Sequence, residues 1–216
     1  MISFRRLPLL VGVMLITASA ALSQSGTINI SGTNPDAFSL TNASGQALSA
    51  TVAFGIMTPA NATTVASDEA IVRMRSNKAY KLSAQASVLT INGAGADQGG
   101  DPIGLTDIGI GITGMTLNAP NVANGASRTE TIPAGFGVTN GIWPAATNGL
   151  TPAFGKTLND IQASTEILSG QRISKKGNLA TDNNFIEVKV GVATLPQFFT
   201  PNTGFSATIT LTMASQ

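Results

Sequence analysis

The chain offers few residues whose types and spacing could do chemistry, and two common catalytic residue types are missing. Its 216 residues include no Cys and no His. This excludes a disulfide framework, a thiolate zinc site, a His-ligated haem, and catalysis of the Ser-His-Asp or Cys-His kind. Two carboxylates alone can hydrolyse a glycoside, but the 11 acidic residues fall mostly in turn-like segments or on polar strand faces. We therefore expect a protein that is not an enzyme and needs no cofactor.

An acidic, glycine-rich stretch contains Asp97 and Asp101, and Asp107 follows shortly after it. Calcium takes its ligands from carboxylate and carbonyl oxygens, which such a stretch supplies. The stretch lacks the D-x-D-x-D-G spacing and the bidentate Glu of a calcium loop, which favours an ordinary polar turn. The candidate calcium ligands are Asp97, Asp101 and Asp107, and the sequence predicts no other metal site.

The run Gly109–Gly114 matches the letters of the dinucleotide-binding fingerprint G-x-G-x-x-G. That motif works only where a strand ends and a helix begins, because the pyrophosphate binds at the helix N-terminus. The residues that follow, Met115–Pro120, do not open such a helix. We therefore interpret the run as an isoleucine strand whose glycines keep one face flat against another backbone.

Trp143 is the single tryptophan and lies in a long irregular stretch, residues 133–155. An exposed aromatic ring there could stack on a sugar, which would suit a polysaccharide ligand. Alternatively, Trp143, Phe136 and Phe154 fold back and plug one end of the core, since large aromatic side chains supply much of the area that a small core buries. The sequence favours the plug and leaves carbohydrate binding open.

The elements that must position these residues are β-strands. In Phe205–Met213 apolar residues hold every odd position and Ser or Thr every even one, and this period of two indicates a half-buried strand. The other predicted strands are residues 27–31, 37–41, 48–57, 70–75, 80–88, 108–112, 128–132, 166–174 and 185–193. An apolar spacing near 3.6 predicts one short helix at residues 156–164. The fold class is therefore all-β: an antiparallel β-sandwich of roughly nine or ten strands, with Greek-key-like connections and at most one short helix.

The first 23 residues predict a secretory signal peptide. Arg5 and Arg6 precede an apolar run, and the small residues after it allow cleavage after Ala20 or Ser23. Because the run is shorter than the roughly 20 residues of a membrane-spanning helix, we expect no transmembrane span in the mature chain. The expected product is one exported domain, residues 24–216, in the periplasm, on the cell surface or outside the cell.

The mature chain is expected to be nearly neutral. Removal of Arg5 and Arg6 reduces its 12 basic residues to 10, against 11 acidic ones. A surface this balanced builds no phosphate-binding face, so nucleic acid is not expected as a partner.

Two of the strands are similar to strands of bacterial surface proteins. Residues 76–84 read SNKAYKLSA and include the form Y-x-L-x-A, and residues 204–212 alternate Ser or Thr with other residues. With the exported start, they resemble bacterial fimbria-like and cell-surface β-sandwich domains. The chain lacks the paired cysteines of chaperone-assembled pilins and the Trp-x-Leu signature of Gram-positive wall-binding domains. The resemblance implies a structural or adhesive surface protein.

Two functions are consistent with these observations. The first is a fimbria-like subunit or adhesin that associates with itself, or with other surface proteins, through edge strands. Thr27–Ser31 suits this role, because Ile28 and Ile30 share one face and could enter a neighbouring subunit by β-augmentation. Pairing of this strand within its own sheet stays open. The second function is a carbohydrate-binding module that uses the Trp143 loop.

Overall fold

Strands provide nearly all the regular structure in the computed structural model, which describes residues 30–57, 66–93, 100–118, 128–137, 155–174, 184–194 and 198–216. The chain divides into two units, Met1–Asn34 and Pro35–Gln216, and the strands of the described residues belong to the second. In chain order the strands are β1 (Phe38–Thr41), β2 (Ala66–Ser76), β3 (Tyr80–Ala86), β4 (Thr90–Asn92), β5 (Ile108–Leu117), β6 (Glu130–Thr131), β7 (Thr165–Gly170), β8 (Ile186–Thr194), β9 (Gly204–Ser206) and β10 (Ile209–Ser215).

The strands form two four-stranded sheets and one small pair, and all pairings are antiparallel. The first sheet has the order β1-β2-β8-β5, the second has the order β10-β3-β7-β6, and β4 pairs with β9. Most neighbours in the large sheets are not consecutive along the chain, so the connections pass from one sheet to the other. This is the arrangement expected of a Greek-key-like sandwich.

One apolar core joins the two large sheets. The first sheet contributes Val72, Met74 and Val188, and the second contributes Leu82 and Leu168, all of them fully buried. Burial of each such side chain contributes about 1.5–3 kcal/mol relative to an exposed position. The all-β, antiparallel sandwich predicted from the period-two pattern is confirmed.

Two strand predictions need correction. Residues 48–57 form no strand: Ala53 N donates to Asp68 Oδ2 (2.9 Å), and apolar side chains such as Val52 and Phe54 pack on the core. The run Phe205–Met213 is divided into β9 and β10, because its first part pairs with β4 and its second part pairs with β3. In both cases the alternation correctly marked an apolar face, but the backbone pairing depends on which strand lies alongside.

Two single turns of 3-10 helix occur among the described residues. Leu158–Ile161 lies within the predicted helix and buries Leu158 and Ile161. The second turn, Leu105–Asp107, exceeds the prediction of at most one short helix. Its cause is a local hydrogen bond, since Gly104 N donates to Asp107 Oδ2 (2.7 Å) and this stabilises the first turn. No helix in the described ranges is long and apolar enough to cross a membrane.

Candidate functional site

The outer edges of the two large sheets differ in how well they are covered. At β5, Ile110 N donates to Lys156 O (3.0 Å) and Ile112 N donates to Phe136 O (2.6 Å), so its edge is occupied. The edge strand β6 is only two residues long. At β1 a bridge joins Thr41 to a residue of the turn that follows. β1 pairs only with Arg73–Ser76 of β2, so the earlier part of β2 is open as well, but that part carries Asp68 and Glu69. This leaves β10 as the longest uncharged open edge in the described part of the chain.

The β10 edge carries none of the features that usually prevent strand pairing. It has seven residues, and its register with β3 runs without a bulge from Ile209 to Ser215. Residues 204–216 include no charged residue and no proline. Natural edge strands are commonly protected by charges, prolines or bulges, so β10 presents an unprotected row of backbone donors and acceptors.

An apolar groove of about 250 Å³ separates β10 from β1. Its apolar lining consists of Phe38 and Leu40 from β1 and of Leu211 and Met213 from β10. These four side chains pack on the core but are only half-buried. A strand that paired with β10 and placed alternate apolar side chains in this groove would complete their burial.

A larger cleft of about 1650 Å³ opens between the first sheet and the segment that carries β9 and β10. Its floor includes Val72 of β2 and Val190 of β8, and Phe205 lies opposite. Residues 48–57 also line it, and the Phe54 ring lies 6.1 Å from the Phe205 ring, measured between centroids. The cleft is therefore predominantly apolar.

A buried ion pair stabilises the end of the second sheet. The Arg128 and Glu130 side chains are 1% and 2% exposed and form a salt bridge. Arg128 Nε donates to Glu130 Oε1 (2.8 Å), which also lies 3.5 Å from the Tyr80 hydroxyl. A β-carbon at Gly170 would come within 2.7 Å of the same carboxylate oxygen, so a glycine is needed there. The arrangement is structural, because charge and hydrogen bonds are satisfied within the protein.

Tyr80 is expected to make the fold sensitive to alkaline pH. Burial, and then the neighbouring Glu130 charge, raise the pKa of Tyr80 far above its ordinary value of 10.0. Above pH 10 the unfolded chain releases this proton and the folded chain keeps it, so stability falls as pH rises, by up to about 1.4 kcal/mol per pH unit. Urea unfolding between pH 9 and about pH 11.5 should show this decrease in stability. Tyr80→Phe should remove the part of the decrease that is due to Tyr80. Equal slopes in both proteins would contradict the prediction.

The outer face of the first sheet carries a second, more exposed set of charges. Lys189 Nζ donates to Glu69 Oε1 (2.5 Å), and Thr113 Oγ1 donates to Glu69 Oε2 (2.8 Å). The hydrogen bond from Lys189 lowers the pKa of Glu69, so its small contribution to stability is lost as pH falls. Partly exposed pairs of this kind contribute about 0–1 kcal/mol and do not define a site.

The structure places only some of the residues that the sequence singled out. Asp107 caps a 3-10 turn, Asp101 is exposed, and no three acidic residues of the described ranges come together at a metal site. Ile30 is described as exposed and outside any strand. Four of the residues lie outside the described ranges, so the predictions on them stay predictions: Ile28, Asp97, Trp143 and Phe154.

The glycine-rich run and Phe136 have structural roles. Ile108, Ile110 and Ile112 are buried in β5, and Gly111 faces Gly191 of β8. Phe136 is buried beside β5. The Arg128–Glu130 pair was not predicted from the sequence. Its one sequence signal is the spacing of two, which puts both side chains on the same face of a strand.

Comparison with known proteins adds no family to these observations. No protein-family model matches the chain, and no curated protein matches it either.

Proposed function

We propose that this protein is an exported, non-enzymatic surface or extracellular subunit, fimbria-like or adhesive, that associates with copies of itself through an edge strand. The observation that carries the proposal is the β10 edge: seven residues, no charge, no proline, no bulge, and an apolar groove beside it. Export is supported by the signal-like residues 1–23. The low charge and the absence of Cys and His support a structural role over an enzymatic one.

The strand that the β10 edge receives is Thr27–Ser31 of a neighbouring copy. Its side chains alternate Ile28 and Ile30 with polar residues, which is the pattern that the groove between β1 and β10 accepts. Main-chain hydrogen bonds would provide affinity, and the two isoleucines would provide specificity.

We expect residues 24–216 to form concentration-dependent assemblies, measured by size-exclusion chromatography with light scattering. Thr212→Lys puts a charge on the exposed side of β10 and should shift the protein to monomer. The matched control is Gln85→Lys, an exposed position on the interior strand β3, which should assemble like the wild type. Deletion of residues 24–32 should leave a folded monomer.

Three results would contradict the proposal. A wild-type protein that is monomeric at every concentration would show that the protein does not associate with itself. A deletion variant that unfolds would show that Thr27–Ser31 pairs within its own domain. Equal loss of assembly in the β10 and β3 lysine variants would show that the edge is not the contact.

A further inference from the structure

The cleft between the first sheet and the β9–β10 segment has the dimensions and the lining of a ligand site. Its volume of about 1650 Å³ exceeds the ~300–1,000 Å³ of common small-molecule pockets, so it suits a long ligand. The floor consists of inner-face residues of β2 and β8, among them Ala70, Val72 and Val192. These two strands pair with each other from Ala66↔Thr194 to Met74↔Ile186, and their inward-facing side chains make the floor predominantly apolar.

The polar groups of the cleft are concentrated in two stretches, residues 100–101 and 200–203. Asp101 is the one ionisable residue of the described lining, and no basic side chain accompanies it. Thr200 N donates to Asp101 O (2.9 Å), which holds the two stretches together. The Thr200 hydroxyl oxygen is buried and has no hydrogen-bond partner in the described part of the chain. This end of the cleft can therefore exchange hydrogen bonds with a hydroxyl group, and it would repel an anion.

The mouth of the cleft also has apolar character. Ile56 and Phe198 both line the cleft and are 91% and 88% exposed. Ile56 belongs to residues 48–57, in which Ala53 N is anchored by the Asp68 carboxylate. Large exposed apolar side chains at the rim of an apolar cleft indicate a surface that meets another apolar molecule.

We propose that the cleft binds an uncharged amphiphile, with an extended hydrocarbon chain along β2 and β8 and a hydroxyl-bearing head beside Asp101 and Thr200. The apolar floor takes the chain by the hydrophobic effect. The head is neutral because an anionic head would meet the Asp101 carboxylate without a compensating cation. This inference does not rest on the proposed function, because binding in the cleft needs no second copy, although Leu40 and Leu211 line both the cleft and the groove beside β10.

The test compares two ligands with the same chain and different heads, monopalmitoylglycerol and palmitate, by isothermal titration calorimetry below their aggregation concentrations. We expect the dissociation constant of monopalmitoylglycerol for the protein (residues 24–216) to be at least about tenfold lower than that of palmitate. Binding of neither ligand, or tighter binding of palmitate, would overturn the proposal.

Three variants locate the binding. Ala70→Phe fills the floor and should weaken monopalmitoylglycerol binding at least about tenfold, whereas Ile71→Phe, next to it on the outer face of β2, should leave it unchanged. Asp101→Lys, at an exposed position, should raise palmitate affinity at least about tenfold. Circular dichroism checks that each variant is folded. Unchanged palmitate affinity in Asp101→Lys would contradict the head-group assignment even if Ala70→Phe fails to fold.

A different occupant would give a different result. If neither amphiphile binds but a peptide of residues 26–32 does, and Ala70→Phe abolishes that binding, the cleft accepts a strand and the amphiphile proposal is wrong. If both amphiphiles bind equally well to Ala70→Phe and the wild type, the cleft is not their site.

Discussion

Replacement of Arg128 by methionine is expected to lower the free energy of unfolding by about 3–5 kcal/mol. The variant leaves the Glu130 carboxylate buried, at 2% exposure, without its cation. It also removes the donors to the carbonyl oxygens of Gln171 (3.0 Å) and Arg172 (2.8 Å). A buried charge without a partner costs far more than the pair contributes when complete. Urea unfolding followed by circular dichroism measures the difference.

Two companion variants separate burial from charge. Lys78→Met breaks the exposed Lys78–Asp36 pair (3.0 Å) and should cost about 1 kcal/mol or less, because solvent screens that pair. Replacement of both Arg128 and Glu130 by methionine should recover most of the loss, since no unpaired charge then remains. Similar losses in the free energy of unfolding for Arg128→Met and Lys78→Met would show that burial does not raise the cost of breaking an ion pair.

The fold could be predicted because the burial of one face of a strand determines the pattern of apolar and polar residues in its sequence. Each strand with one face in the core must alternate apolar and polar residues, and β3 does so along its whole length, as β8 does from Ile186 to Val190. The same pattern failed at residues 48–57 because it specifies an inward face and not a hydrogen-bonded neighbour. Leu48, Val52, Phe54 and Met57 of that segment pack on the core while Ile56 is exposed, yet no strand of the described ranges pairs with it.

The candidate site was predicted less well, because it depends on contacts between distant parts of the chain. The lack of charge and proline in residues 204–216 can be read from the sequence, but that β10 is an edge can be seen only in the sheet order. The cleft joins side chains from β2, β8 and β9, which are far apart in sequence. The Tyr80–Glu130 contact likewise spans 50 positions and needs the space that Gly170 provides.

Truncation of Leu82 to alanine is expected to cost about 2–5 kcal/mol, the other large loss that the fold predicts. Leu82 is fully buried at the centre of β3, where its backbone faces Leu168 of β7 and Met213 of β10. The change removes three carbon atoms from the place where the second sheet meets the core, and the close-packed surroundings can relax only partly into the gap. The result should be a lower urea midpoint with an unchanged slope.

Gln85→Ala is the matched control: it lies on the same strand but is exposed, and should change stability by less than about 0.5 kcal/mol. Because β10 pairs directly with β3, the Leu82 variant should also loosen the edge that we propose for assembly. An equal effect of the two alanine substitutions would contradict the placement of β3 at the centre of the sandwich.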